Sequence, residues 1–428
     1  MSVERTRRKA CAACTKAKRP CSKRLPGCDR CERKGIPCRY PPINQTARQY
    51  AVANIESATT EESTSEIAAS AVTFPIHVVS FDPCYDMPPG QPYHNPCSAG
   101  LAKITTPLPL GHDWFYSSDS WLIARSNTPM FTSQSLDITG LKDFIGTVQD
   151  WLRRWAATGT SPFIHHRLYK DNMPRCVQDA YTALNTYLAR TPENSELCFQ
   201  IIRDRAAELI EEAQRATSVA TPGVGPAESL DIPVLLDPSE HLARVHALFV
   251  YQMIGLFDGD IMLRAAAETR MATLTTWLVE MWSSAELDAH LYSTVLSLSK
   301  DGEDSENMQI ATRPDEMTSW KRWIVSESVR RVWLLAMIVQ SIYELLKTGW
   351  SHCPGSVNWT PRAGLWDAPD QYAWTKLVKD GSGPLFIPSL CADLLYREAV
   401  PTEVDEFGHG ILVAEFGSDG MAKWKAHN

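Results

Sequence analysis

The chain has 428 residues, 44% apolar and 21% charged, which is ordinary globular usage and long enough for two or three domains. Its net charge of -8 hides an asymmetry, because residues 1–48 carry 14 Lys+Arg against 3 Asp+Glu while the rest carry 28 against 47. A basic head on an acidic body suits a nucleic-acid binder; the longest apolar run, Val332 to Val339, is far short of the roughly 20 residues of a spanning helix, so no membrane role is expected.

The basic run of residues 5–9, with Lys16, Lys18 and Arg19, reads as a patch for nuclear import and phosphate neutralisation. It leads into Cys11 to Cys38, where six cysteines fall at C-x2-C-x6-C-x6-C-x2-C-x6-C. Cys11, Cys14 and Cys21 map onto Cys28, Cys31 and Cys38 with a constant offset of 17 residues. Thiolates two residues apart can grip one metal ion, and a third, seven residues on, can close the chain over it. Zinc takes four ligands in a tetrahedron, so three thiolates per half leave each ion one short. Sharing one cysteine from each half lets six thiolates hold two zinc ions. No histidine lies within the segment, which excludes a mixed Cys/His finger. A disulfide framework would also use six cysteines, but a basic, metal-spaced segment with no apolar signal run before it favours zinc.

A short helix is expected over Ala12 to Arg19, ended by Pro20, and another over Asp29 to Lys34, ended by Gly35. The cysteine spacing, the basic run between the second and third cysteines, Pro26 and the Cys-Arg-Tyr-Pro-Pro exit at Cys38 to Pro42 resemble the fungal binuclear zinc-cluster transcription factors. The resemblance implies that Cys11 and Cys28 bridge the two zincs, with Cys14 and Cys21 completing one site and Cys31 and Cys38 the other. It also implies that the carboxyl end of the first cluster helix enters the major groove of double-stranded DNA and reads a CGG-type triplet. Lys18 takes the position of the base-reading lysine, Lys16 and Arg19 flank it, and Lys23 takes a phosphate-contacting position. Two residues depart from the family pattern: Ala17 stands where a lysine is common, and Pro20 where a basic residue is common.

Residues 1–42 are therefore expected to form the zinc-cluster domain. Residues 43–110, rich in polar residues and then in proline, read as a flexible linker, with one short extended piece at Val72 to Phe81. No heptad pattern is sustained there over three turns, so a homodimer is left open. Residues 111–428 read as an all-α regulatory domain. Apolar residues recur at helical spacing from Leu141 to Trp155, Val177 to Leu188, Ile201 to Ala213, Glu240 to Phe257, Asp260 to Trp282 and Trp320 to Lys347. The last eighty residues, with many Gly, Pro and Trp, read as irregular with short helices at most, such as Ser389 to Glu398. Ser161 to Ala183 and Trp320 to Trp333 resemble, more diffusely, the regulatory region of the same factors. The cysteines outside the head read as buried or free thiols.

Within this region Glu327 and Arg331 are spaced to pair as an internal salt bridge in a tryptophan-rich core. His165 and His166 point about 100° apart on a helix and read as packing groups rather than metal ligands. Glu403, Asp405, Glu406, Phe407, Glu415 and Phe416 read as a solvated tail, with an activation segment as the second reading. No P-loop, dinucleotide fingerprint, zincin motif or nucleophile elbow occurs, so no enzyme is expected. The expected function is nuclear, sequence-specific control of RNA polymerase II transcription through the transcription machinery. A biosynthetic gene cluster is the expected target, since the Thr-Lys-Ala-Lys-Arg loop resembles that of such regulators. The alternative is a repressor or co-regulator that acts through protein partners of the helical domain.

Overall fold

The computed structural model describes residues 14, 16, 17, 19, 21, 22, 28–36, 38, 78–80, 114–125, 131–132, 138–219, 237–300, 316–351, 355–379 and 384–427. The chain divides between Phe74 and Pro75 into two compact units.

In the first unit, α1 (Asp29–Arg33) starts from an extended Cys28 and carries Asp29 and Glu32 in its first turn, where acidic groups suit the helix dipole. Gly35 ends it at φ +61°, with Gly35 N–H donating to the Glu32 carbonyl (3.2 Å) and Ile36 N–H to that of Cys31 (3.1 Å). This pair of bonds satisfies the last carbonyls and turns the chain back, as the position of Gly35 predicts.

The elements of the second unit are β1 (Val78–Ser80), β2 (Ile123–Arg125), β3 (Phe131–Thr132), α2 (Ile138–Thr158), α3 (Arg175–Leu188), α4 (Ser195–Val219), α5 (Pro238–Phe257), α6 (Ile261–Lys300), α7 (Glu316–Thr348), β4 (Trp350–Ser351), β5 (Asn358–Trp359), α8 (Gln371–Lys379), β6 (Ile387–Pro388), α9 (Ala392–Glu398) and α10 (Glu406–His427). Helix dominates, as expected. The strands form short pairs only: β1 with β2 in parallel, β3 with β4 and β5 with β6 antiparallel. β1 lies inside the segment read as a linker, and most of that segment is outside the described residues.

Helix α5 is the centre of the core. Asp237 and Glu240 form a reciprocal capping box with Pro238 in the first turn, and nearly every residue from His241 to Leu256 is buried. A helix apolar on all sides must be enclosed, here by α3, α6 and α7. Gly255 permits the closest approach, since a Cβ there would lie 2.6 Å from that of Ala267 on α6. Helix α6 runs on past Trp282, because Ala285 and Ala289 continue the buried stripe.

The carboxyl-terminal region departs from expectation. α10 is 22 residues long, bent at Gly417 (φ +66°, ψ 171°), where irregular chain was expected. Its glycines lower helix propensity, but the contact with α2 uses them: a Cβ on Gly410 would lie 2.4 Å from the Trp151 ring, so packing overrides propensity. The acidic and aromatic segment is correspondingly no solvated tail, although Glu403, Glu406 and Glu415 lie on its exposed face. Phe407 and Asp405 are buried, and Glu406 accepts bonds from Trp151 Nε1 (3.0 Å) and Arg154 Nη1 (2.5 Å). Cys391, read as a thiol, is buried and disulfide-bonded.

Candidate metal centre and nucleic-acid interface

Cys28 caps α1 and Cys31 lies three residues on, so the C-x2-C pair spans the first helical turn. Cys14 comes from the preceding half of the repeat. The three sulfurs lie within 4.8 Å of one another and all three residues are buried. Cys21 and Cys38, half-buried, pack against them. Cys14 Sγ and Cys28 Sγ are 3.6 Å apart. Four sulfurs at ~2.3 Å from a zinc ion define a tetrahedron with edges of about 3.8 Å, so this separation fits two ligands of one ion. Further donors surround the sulfurs: Cys28 N–H reaches Cys38 Sγ at 3.2 Å, and Arg30 Nη1 reaches Cys14 Sγ at 3.8 Å. The Ser22 hydroxyl accepts from Asp29 N–H (3.0 Å) and so ties the exit of the first half to the start of α1.

Of the residues expected to hold metal, Cys14, Cys21, Cys28, Cys31 and Cys38 come together, while Cys11 lies outside the described residues. Of the expected DNA contacts, Lys16 and Arg19 are exposed, and Lys18 and Lys23 lie outside the described residues. Ser22 and Arg30 were not anticipated. The signal for Arg30 was a break in the repeat, since the offset of 17 aligns it with Ala13.

No other group among the described residues has metal-binding geometry. His165 and His166 stack with ring centroids 4.2 Å apart, and His165 Nδ1 accepts from Arg167 N–H. Burial holds the His165 pKa down to about 2, so it is a neutral packing group. A groove of about 340 Å³ between α3 and α4 is lined by Asp179, Asp204, Arg205 and Glu208. Its charges are largely paired, Arg175 with Asp179 (3.0 Å) and Arg205 with Glu208 (2.8 Å).

Residues 9–47 match the model of the Fungal Zn(2)-Cys(6) binuclear cluster domain. The cysteine head is a domain of this kind and holds two zinc ions. Along nearly its whole length the chain is similar to Transcription factor gsfR2 of Penicillium aethiopicum, at 26% identity over 444 residues, covering 98% of this chain and 95% of the relative. No solved structure matches the chain. The domain and the relative support a DNA-binding transcription factor.

Proposed function

We propose that the protein binds DNA at CGG-type triplets through its zinc cluster and regulates transcription of a biosynthetic gene cluster in the nucleus. The observation that carries this reading is the buried trio of Cys14, Cys28 and Cys31, with Lys16 and Arg19 exposed on the segment that follows Cys14. A segment of about forty residues has too little apolar core to fold unaided, so metal supplies its structure. Its excess positive charge then meets phosphate, while a lysine at position 18 can donate to both O6 and N7 of guanine. Cys11 and Cys28 are the proposed bridging ligands, with Cys14 and Cys21 on one zinc and Cys31 and Cys38 on the other. Similarity to a named transcription factor supports the regulatory role, and the Thr-Lys-Ala-Lys-Arg loop supports the biosynthetic target. The helical body is the proposed contact for the transcription machinery.

Selection of bound sites from random duplexes by the full-length, zinc-loaded protein tests this. Enrichment of CGG triplets is expected, singly for a monomer and paired at fixed spacing for a homodimer. Enrichment of no sequence at all would overturn the reading in favour of a co-regulator acting through protein partners.

A further inference from the structure

The repeat that places the cysteines is broken at one charged position. Arg30, between Cys28 and Cys31, aligns with Ala13, between Cys11 and Cys14. The described cations of the head fall into two groups. Lys16, Arg19, Arg33 and Lys34 are exposed, whereas Arg30 is half-buried and turns its guanidinium to Cys14 Sγ, with Nη1 at 3.8 Å. Arg30 has no carboxylate partner among the described residues, so the sulfur is the anionic group it faces.

We propose that Arg30 is an asymmetric outer-sphere lock on the cluster. From the second half it donates an N–H to the thiolate of Cys14 in the first half and slows loss of the zinc that Cys14 holds. At the position of the repeat that matches Arg30, the first half carries Ala13, which has no such donor to offer Cys31. The inference rests on the reading of the cysteines as ligands of two zincs. Six thiolates and two divalent ions leave an excess of negative charge, concentrated on the non-bridging sulfurs. A guanidinium donor beside one of them draws off charge and makes that sulfur a poorer target for competing electrophiles. The two halves, alike in ligand spacing, then differ in the lability of their metal. A phosphate-contacting role fits less well, since the side chain is turned inward while its basic neighbours are exposed.

The test uses full-length, zinc-loaded protein challenged with the chromophoric chelator 4-(2-pyridylazo)resorcinol. Wild type is expected to release its two zincs in separate phases. Arg30→Gln, with its zinc content first confirmed, should speed the slower phase by about 10-fold or more and leave the faster one unmoved, with Arg30→Lys intermediate. Iodoacetamide should then label Cys14 sooner than in wild type, with Cys31 unchanged. Ala13→Arg, made in the intact protein, should slow the faster phase. One zinc per chain in wild type would overturn the two-site reading beneath the inference. Two zincs with both phases unmoved by Arg30→Gln would overturn the lock alone, as would equal acceleration of both. Unmoved release with a lower salt slope of DNA affinity would make Arg30 a phosphate contact instead.

Discussion

Arg331 Nη2 donates to Asp405 Oδ2 at 2.5 Å, joining the middle of α7 to the residue before α10 across 74 positions of chain. The same guanidinium donates to Glu327 Oε1 (3.1 Å) and to the carbonyls of Pro162 (2.7 Å) and Thr360 (2.9 Å). Both carboxylates are held from other sides, Glu327 by the Thr360 amide and hydroxyl and Asp405 by Gly408 N–H. Burial pushes both carboxyl pKa values up, and the Arg331 charge opposes that shift. The Trp366 ring lies 4.0 Å from the guanidinium.

Next to this network Arg330 is equally buried but has no carboxylate bonded to it. Its Nη2 donates to the Phe115 carbonyl (2.6 Å), it stacks 4.3 Å from Trp121, and its Nε and Nη1 have no hydrogen-bond partner. Arg331→Met should therefore cost about 3–5 kcal/mol, because it leaves Asp405 buried without its cation and Glu327 with only the unbonded charge of Arg330. Arg330→Met should cost less, since no carboxylate is bonded to Arg330 and its two unmade bonds, at Nε and Nη1, are removed with the side chain. Urea unfolding of both variants checks the ordering, and equal losses would show that Arg330 is held as strongly as Arg331.

Two helical glycines should respond with opposite sign to the same substitution. Gly410→Ala drives a methyl into Trp151 at 2.4 Å and should cost about 1–3 kcal/mol by overpacking the α2–α10 contact. Gly146→Ala on α2 meets nothing within 4 Å and should gain about 0.5–1 kcal/mol from helix propensity. Thermal melting of the two proteins separates the effects.

His246 supplies a test in pH. It is buried on α5, its Nδ1 is 2.7 Å from the Tyr169 hydroxyl, and burial lowers its pKa to about 3. The folded state therefore favours the neutral ring. The resulting stability is fully present above the unfolded pKa near 6.5 and is lost as pH falls toward 3. His246→Asn keeps an acceptor for Tyr169 and removes the titration. Between pH 6.5 and 5 the variant's stability should fall less steeply than that of wild type, by up to about 1.4 kcal/mol per pH unit. Parallel pH profiles would show that the unfolded chain holds His246 neutral as well.

Zinc content tests the shared-ligand scheme. Cys28 is the described residue proposed to bridge, so Cys28→Ala should disrupt both metal sites. Removal of one terminal ligand, as in Cys38→Ala, should weaken one site more than the other. Zinc per chain by atomic absorption distinguishes the cases; full occupancy of one site in Cys28→Ala would exclude sharing.

The legible and illegible parts of the chain differ in the range of the interactions that decide them. The cluster was readable because its ligands lie within one short segment and their spacing is dictated by tetrahedral geometry. Gly35 was readable as a helix stop, because the left-handed conformation it adopts is costly for other residues. The pair Glu327–Arg331 was visible because it lies one helical turn apart, but its third member was not. Asp405 sits in an acidic stretch that resembles a solvated tail, and its cation is an arginine 74 residues away. Helix α10 was hidden for the same reason, since Gly410 serves distant Trp151 rather than the local backbone. Arg30 was not legible from the repeat, because the spacing of the cysteines is common to both halves and Arg30 is a position where they differ.

We propose Lys18 as base reader and Lys23 as phosphate holder, and these roles leave different signatures on DNA. A lysine that donates to guanine in the major groove contributes only where the guanine is present. Lys18→Ala should thus cost about 1–3 kcal/mol on the selected site, relax the preference at the guanines and weaken binding to unrelated duplexes much less. A phosphate contact is blind to sequence and acts by releasing counterions. Lys23→Ala should weaken all duplexes alike and lower the slope of log affinity against log salt by about one unit. Arg19, exposed beside the reading position, gives a third comparison: as a flanking phosphate contact Arg19→Ala should behave like Lys23→Ala. Titration of the three variants on matched and mismatched duplexes at several salt concentrations, with two zincs confirmed in each, makes the measurement. Equal losses from Lys18→Ala on every duplex would falsify its part as base reader and move that role to another residue of the same basic run, with the metal cluster unaffected.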